Sequence, residues 1–65
     1  MTKIYSAKKN YIVKVYASIK TENGDYRVYE DGIVERWSDA VNDWYSYRGE
    51  EYDDVFEAGL KVLGV

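Results

Sequence analysis

The stretch Tyr26-Arg27-Val28-Tyr29-Glu30-Asp31-Gly32-Ile33-Val34-Glu35-Arg36-Trp37 decides how the chain folds. Two runs rich in β-branched and aromatic residues flank a turn, and that turn can close in two registers. A two-residue Asp31-Gly32 loop sets Arg27 opposite Arg36 and Val28 opposite Glu35, both poor matches. A three-residue loop ending in a left-handed Gly32 instead pairs Tyr29 with Ile33, Val28 with Val34 and Arg27 with Glu35. The side chains favour the second register, so a strand over 26–29 returns antiparallel as a strand from Ile33 to about Trp37.

Toward the N-terminus, Glu22-Asn23-Gly24-Asp25 reads as another tight hairpin, with Asn23 and Gly24 as the two positive-φ residues of a type I′ turn. The strand leading into it is expected over 11–20, where Tyr11, Val13, Val15, Ala17 and Ile19 alternate with Ile12, Lys14, Tyr16, Ser18 and Lys20. Residues 3–7 read as a short strand ahead of it, with Lys8-Lys9-Asn10 as the connecting turn.

Toward the C-terminus, residues 38–43 read either as one helical turn capped by Ser38 or as a loop into a last strand over 44–47. The alternation of Trp44 and Ser46 with Tyr45 and Tyr47 favours the strand. Beyond Gly49 the period becomes helical: Tyr52, Val55, Phe56, Gly59, Leu60 and Leu63 share a face, and Gly64 stands at the C-cap. A glycine inside a helix costs about 1 kcal/mol relative to alanine, so Gly59 marks the expected closest approach to the sheet. The expected fold is α+β, a small antiparallel β-meander of four or five strands with one C-terminal α-helix packed on one face, in a single small domain over 1–65. The side bearing Val13, Val15 and Ile19 is the expected helix-covered face.

A chain of 65 residues buries only roughly 60% of the surface its unfolded form exposes. Disulfides and structural metals are the usual supplements, but the chain has no Cys and no His. Burial of its eleven aromatic side chains, eight of them Tyr, or self-association must serve instead.

The same absences narrow the chemistry. Without His there is no imidazole base or ligand, and Ser6, Ser18, Ser38 and Ser46 have no evident activator. The glycines at 24, 32, 49, 59 and 64 are isolated and form no phosphate-cradling loop. Asp53, Asp54 and Glu57 lack the ligand order and turn glycine of a calcium loop. No enzyme activity, cofactor or metal is expected. Apolar runs are too short for a membrane span or a secretory signal. A disulfide-free domain of this size reads as cytoplasmic.

Charge supplies the functional signal. Residues up to Tyr29 carry six cations against two anions, whereas residues 30–57 hold ten of the twelve carboxylates and only Arg36 and Arg48. Acidic residues at a helix start interact favourably with its dipole, which accounts for Glu50, Glu51, Asp53 and Asp54. It does not account for Glu30, Asp31, Glu35, Asp39 and Asp43, whose mutual repulsion opposes compaction. Trp37 reads as a core residue. Trp44 and Tyr45 cannot face the same side of a strand, so one aromatic set on 44–47 is exposed. Trp, Tyr and Arg are enriched at binding hot spots. The candidate partner-binding patch is therefore Trp44, Tyr45, Tyr47 and Arg48, rimmed by Asp39, Asp43, Glu50, Glu51 and Asp54.

In composition the chain resembles the small acidic inhibitors encoded by phages and mobile elements, anti-CRISPR and other anti-defence proteins among them. That resemblance implies an interaction protein that mimics nucleic acid and blocks a basic, nucleic-acid-handling site on a larger protein. Two other readings rest on different residues. Lys8, Lys9, Lys14, Lys20 and Arg27, with Tyr16 and Tyr29, place cations and rings on one sheet face, the mixture used by single-strand nucleic-acid binders, although a pI near 4.8 opposes a polyanion. A homodimer pairing through the aromatic strand would suit so small a core.

Overall fold

The computed structural model describes residues 3–12 and 14–64. Five strands, β1 (Ile4–Asn10), β2 (Tyr16–Thr21), β3 (Gly24–Val28), β4 (Val34–Ser38) and β5 (Asp43–Ser46), precede the helix α1 (Tyr52–Leu63). The strands form one antiparallel sheet in the order β1-β2-β3-β4-β5, a meander in which chain order and spatial order coincide. The helix packs across one face of this sheet, as the sequence pattern predicts.

Register at the central hairpin follows side-chain pairing. Val28 faces Val34 and Arg27 faces Glu35. Tyr29 N–H donates to the Ile33 carbonyl at 2.9 Å, and Gly32 carries the left-handed backbone with φ 94°. A side chain at that φ would be strained, so the acidic three-residue loop depends on this glycine.

The β2–β3 turn returns antiparallel but is built differently from the predicted Asn-Gly turn. Thr21 pairs with Gly24, leaving Glu22 and Asn23 as the loop. Asn42 is the only non-glycine with positive φ among the described residues, so Asn23 is not left-handed. The Thr21 hydroxyl accepts from Asn23 N–H and donates to the Gly24 carbonyl, both at 3.1 Å, which closes the turn through a side chain.

The N-terminal hairpin also corrects the sequence reading. β1 runs through Lys8 and Lys9 to Asn10, which pairs with Tyr16, and the connection is 11–15. Alternation continues into that connection, but β3 ends at Val28 opposite Ala17, so it does not extend alongside the described residues of the connection. The Asn10 side chain accepts from Ile12 N–H at 3.0 Å and ends the strand. Tyr11 and Val15 are exposed instead of facing the core. Val13 lies outside the described residues.

Ala17, Ile19, Tyr26, Val28, Val34, Val55 and Leu63 form the core, with Tyr47, Tyr52, Phe56, Ala58 and Val62 packed around it. Gly59 is buried over β3, where a β-carbon would collide with the Val28 side chain. This close approach explains a glycine that helix propensity alone disfavours. Helix ends are tied to the sheet by polar contacts. Glu51 N–H donates to the Tyr47 hydroxyl at 3.0 Å, and the Tyr52 hydroxyl donates to the Gly32 carbonyl at 2.6 Å. At the other end Gly64, at φ 80°, donates to the Leu60 carbonyl, and Lys9 Nζ donates to the Leu63 carbonyl at 3.3 Å.

Candidate functional site

Strand parity divides the functional side chains between two surfaces. Tyr26 faces Arg36, and Arg36 faces Tyr45, so Tyr45 and Tyr47 lie on the helix-covered side. Trp44 faces Trp37 on the opposite, helix-free side. The expectation that Trp44 and Tyr45 point to different sides is met. Trp37, expected in the core, is instead half-buried on the open face, because pairing Val28 with Val34 sends odd-numbered β4 residues outward.

That open face holds a row of rings joined by cations. The Trp37 and Trp44 rings meet edge-on at 5.4 Å, and Trp37 Nε1 donates to Asp39 Oδ1 at 2.9 Å. Arg27 sits over both Trp44 at 4.0 Å and Tyr16 at 4.8 Å. Tyr16 leans on Tyr29 at 5.7 Å, and Lys14 covers the Tyr29 ring at 4.6 Å. Each cation–ring contact is worth about 0.5–1 kcal/mol at an exposed site, so the row is ordered without being buried. Tyr29 donates to Glu35 Oε1 at 2.8 Å; burial first, and then that carboxylate, push its pKa above the usual tyrosine value. Lys8 and Lys20 lie on this face too, opposite Ser18 and Ser6. Lys9 does not share it, since pairing with Ala17 turns it toward the helix.

Between β1 and β3 the face sinks into a hollow of about 410 Å³ lined by Asn10, Ile12, Lys14, Tyr16, Arg27 and Tyr29. A second hollow of about 290 Å³ adjoins it at Lys14 and Tyr29 and includes Glu30 and Asp31.

At the far side of the sheet the helix touches β2 most, then β1 and β3, β4 least, and makes no approach to β5 among the described residues. β5 is therefore an edge strand with Trp44 on one side and Tyr45, 41% exposed, on the other. Loop 39–42 closes the hairpin, with Val41 N–H donating to Ser38 Oγ at 3.4 Å and Asn42 left-handed at φ 54°. Ser38 thus makes the cap-like bond anticipated from sequence, but within a hairpin loop. Asp39 and Asp43 stand at this end, and Asp43 Oδ1 accepts from Trp44 N–H at 2.8 Å.

The remaining predicted residues do not join that hairpin surface as a group. Tyr47 is half-buried against Tyr26, ring centroids 5.2 Å apart, and its hydroxyl anchors the helix start. The helix start needs it because no side chain caps the helix at Glu51. Glu51 accepts from Asn23 Nδ2 at 3.0 Å, and Arg48 lies 5.5 Å from the Tyr52 ring. Glu50 is exposed and Asp54 half-buried on the helix side. Sequence reading placed Arg27 and Tyr16 on one face but missed that Trp44 and Trp37 join them there. The signal was present, since the Val28–Val34 register already placed Arg27, Glu35 and Trp37 on one face.

Among the described residues, no three carboxylates gather as a metal site, and no helix is long and apolar enough to cross a membrane. Comparison with protein families, curated proteins and solved structures finds no match to this chain.

Proposed function

We propose that this protein is a small, acidic, non-catalytic interaction protein that docks its β4–β5 hairpin on a basic, nucleic-acid-handling surface of a larger protein and modulates it. The observation that carries this reading is the bareness of β5, which the helix leaves uncovered while rings project from both of its sides. An uncovered edge offers backbone N–H and C=O groups to a partner, and flanking Trp and Tyr supply anchors.

Charge directs the encounter. Asp39 and Asp43 stand at the β4–β5 loop and Asp53 and Asp54 in the first helical turn, while Glu30 and Asp31 lie at the other end of β4 beside Lys14. The carboxylates at the hairpin, Asp39 and Asp43, attract a cationic cleft, as the resemblance to phage-encoded inhibitors suggests. Such attraction accelerates association and weakens with salt.

Affinity capture from cell lysate tests this. A basic nucleic-acid-binding protein is expected at low salt, released at high salt and competed off by DNA. Trp44→Ala should lower affinity by about 2 kcal/mol, Asp43→Lys should weaken it further, and Glu57→Gln on the helix should leave it unchanged. Capture that ignores salt, or that survives Trp44→Ala combined with Asp43→Lys in a folded protein, overturns the reading.

A further inference from the structure

We propose that the hollow between β1 and β3 on the helix-free face binds a nucleoside phosphate. This goes beyond the docking reading: the hollow lies on the same helix-free face as Trp44 but toward β1, with Arg27 between them. Among the described residues its lining includes two cations, two tyrosines and no carboxylate, in a chain whose net charge is −3. Its volume, about 410 Å³, lies within the range of small-ligand pockets.

The chemistry of the lining separates into two ends. Lys14 and Arg27 are held by the rings of Tyr29 and Tyr16, at 4.6 and 4.8 Å, so their charges are fixed at the wall where a phosphate would be met. Arginine and lysine so placed make charge-assisted bonds to phosphate oxygens. Tyr16 and Ile12 offer an aromatic and an apolar surface for a base. Asn10 uses its Oδ1 on Ile12 N–H, and its amide NH2 has no partner among the described residues, leaving a donor for a base or sugar.

Neighbouring charges fix which hollow receives the phosphate. Glu35 stands opposite Arg27 and accepts from the Tyr29 hydroxyl, but does not itself line the hollow. Glu30 and Asp31 line only the adjoining hollow and repel phosphate from it. Lys14 borders both, so it is the cation whose removal reports on the site.

Titration of the isotope-labelled protein with AMP, adenosine, inorganic phosphate and a short single-stranded oligonucleotide, followed by amide NMR shifts, tests the proposal. AMP should give saturable shifts centred on Asn10, Tyr16 and Arg27, with adenosine and phosphate alone weaker by about tenfold or more. Lys14→Ala and Tyr16→Leu should each weaken AMP by about tenfold without altering the far-UV spectrum. An oligonucleotide that binds more tightly through the same residues identifies the ligand as a unit of a strand; equal affinity identifies the free nucleotide. No saturable shift with either ligand, shifts centred on the helix, or full affinity in Lys14→Ala overturns the proposal. Among the described residues Lys14 makes no ring contact with the β4–β5 hairpin, so Lys14→Ala separates this proposal from partner capture, whereas Tyr16 reaches Trp44 through Arg27.

Discussion

Two tyrosines of the central hairpin, Tyr26 and Tyr29, show how differently the two sides of this sheet are made. Tyr26 is fully buried beneath the helix, and its hydroxyl makes no hydrogen bond among the described residues. Its neighbour is the Tyr47 ring, 5.2 Å away between centroids, whose hydroxyl accepts from Glu51 N–H. Burial first, then Tyr47, raises the Tyr26 pKa to about 12, with Arg36 opposing them. Tyr29 sits half-exposed on the other side and donates to Glu35. The helix-covered side therefore gains its stability from excluding water, even at the cost of one orphaned hydroxyl. On the open side, rings and charges satisfy one another and stay accessible. Stability should reside on the first side and recognition on the second.

The sharpest way to break that division is to compare Ile19→Ala with Tyr16→Ala, two residues of β2 that face opposite ways. Ile19 is wholly buried, so its truncation should cost about 2–5 kcal/mol in denaturant unfolding. Tyr16→Ala should cost about 1–2 kcal/mol, the worth of its ring contacts. Equal losses would show that the open face carries core energetics after all.

Gly59→Ala is next in size. Alanine gains about 1 kcal/mol of helix propensity, but its methyl must displace Val28, a stiff and wholly buried side chain. The net result should be destabilisation by about 1–3 kcal/mol, partly restored when Val28→Ala is added. A stabilised single variant would mean that the helix lies farther from β3.

Tyr26→Phe should have the smallest effect and the opposite sign. Removing an unpartnered buried hydroxyl should stabilise the protein by up to about 1 kcal/mol at neutral pH. It should also change the alkaline limb. A tyrosine whose pKa rises on folding, here from 10.0 to about 12, contributes stability that is present below pH 10 and is lost as pH climbs through that interval, because the unfolded chain releases its proton first. The loss should be shallower in Tyr26→Phe, with the residual slope belonging to Tyr29, whose pKa is also raised. An unchanged alkaline profile would place the coupling elsewhere.

The candidate site was only half legible in the sequence. Trp44, Tyr45, Asp39 and Asp43 fall together because they are neighbours on one hairpin, and adjacency survives folding. Tyr47 did not stay with them, since the uncapped helix start needed a hydrogen-bond acceptor and the Tyr47 hydroxyl was within reach. Arg27 was visible as a cation on a sheet face, but its position between Tyr16 and Trp44 depends on lateral contacts across three strands.

The chain by itself determined the central register, the left-handed Gly32, the helix with its Gly59 contact and Gly64 cap, and the order of strands in the meander. Each follows from local backbone preference or from pairing of residues close in sequence. Tertiary structure alone decided where β1 ends, how Thr21 closes the β2–β3 turn, and which strand the helix leaves bare. Those outcomes depend on whether a partner strand or a packing surface lies alongside, and a period-two or helical pattern specifies the face a residue prefers without specifying what will cover it.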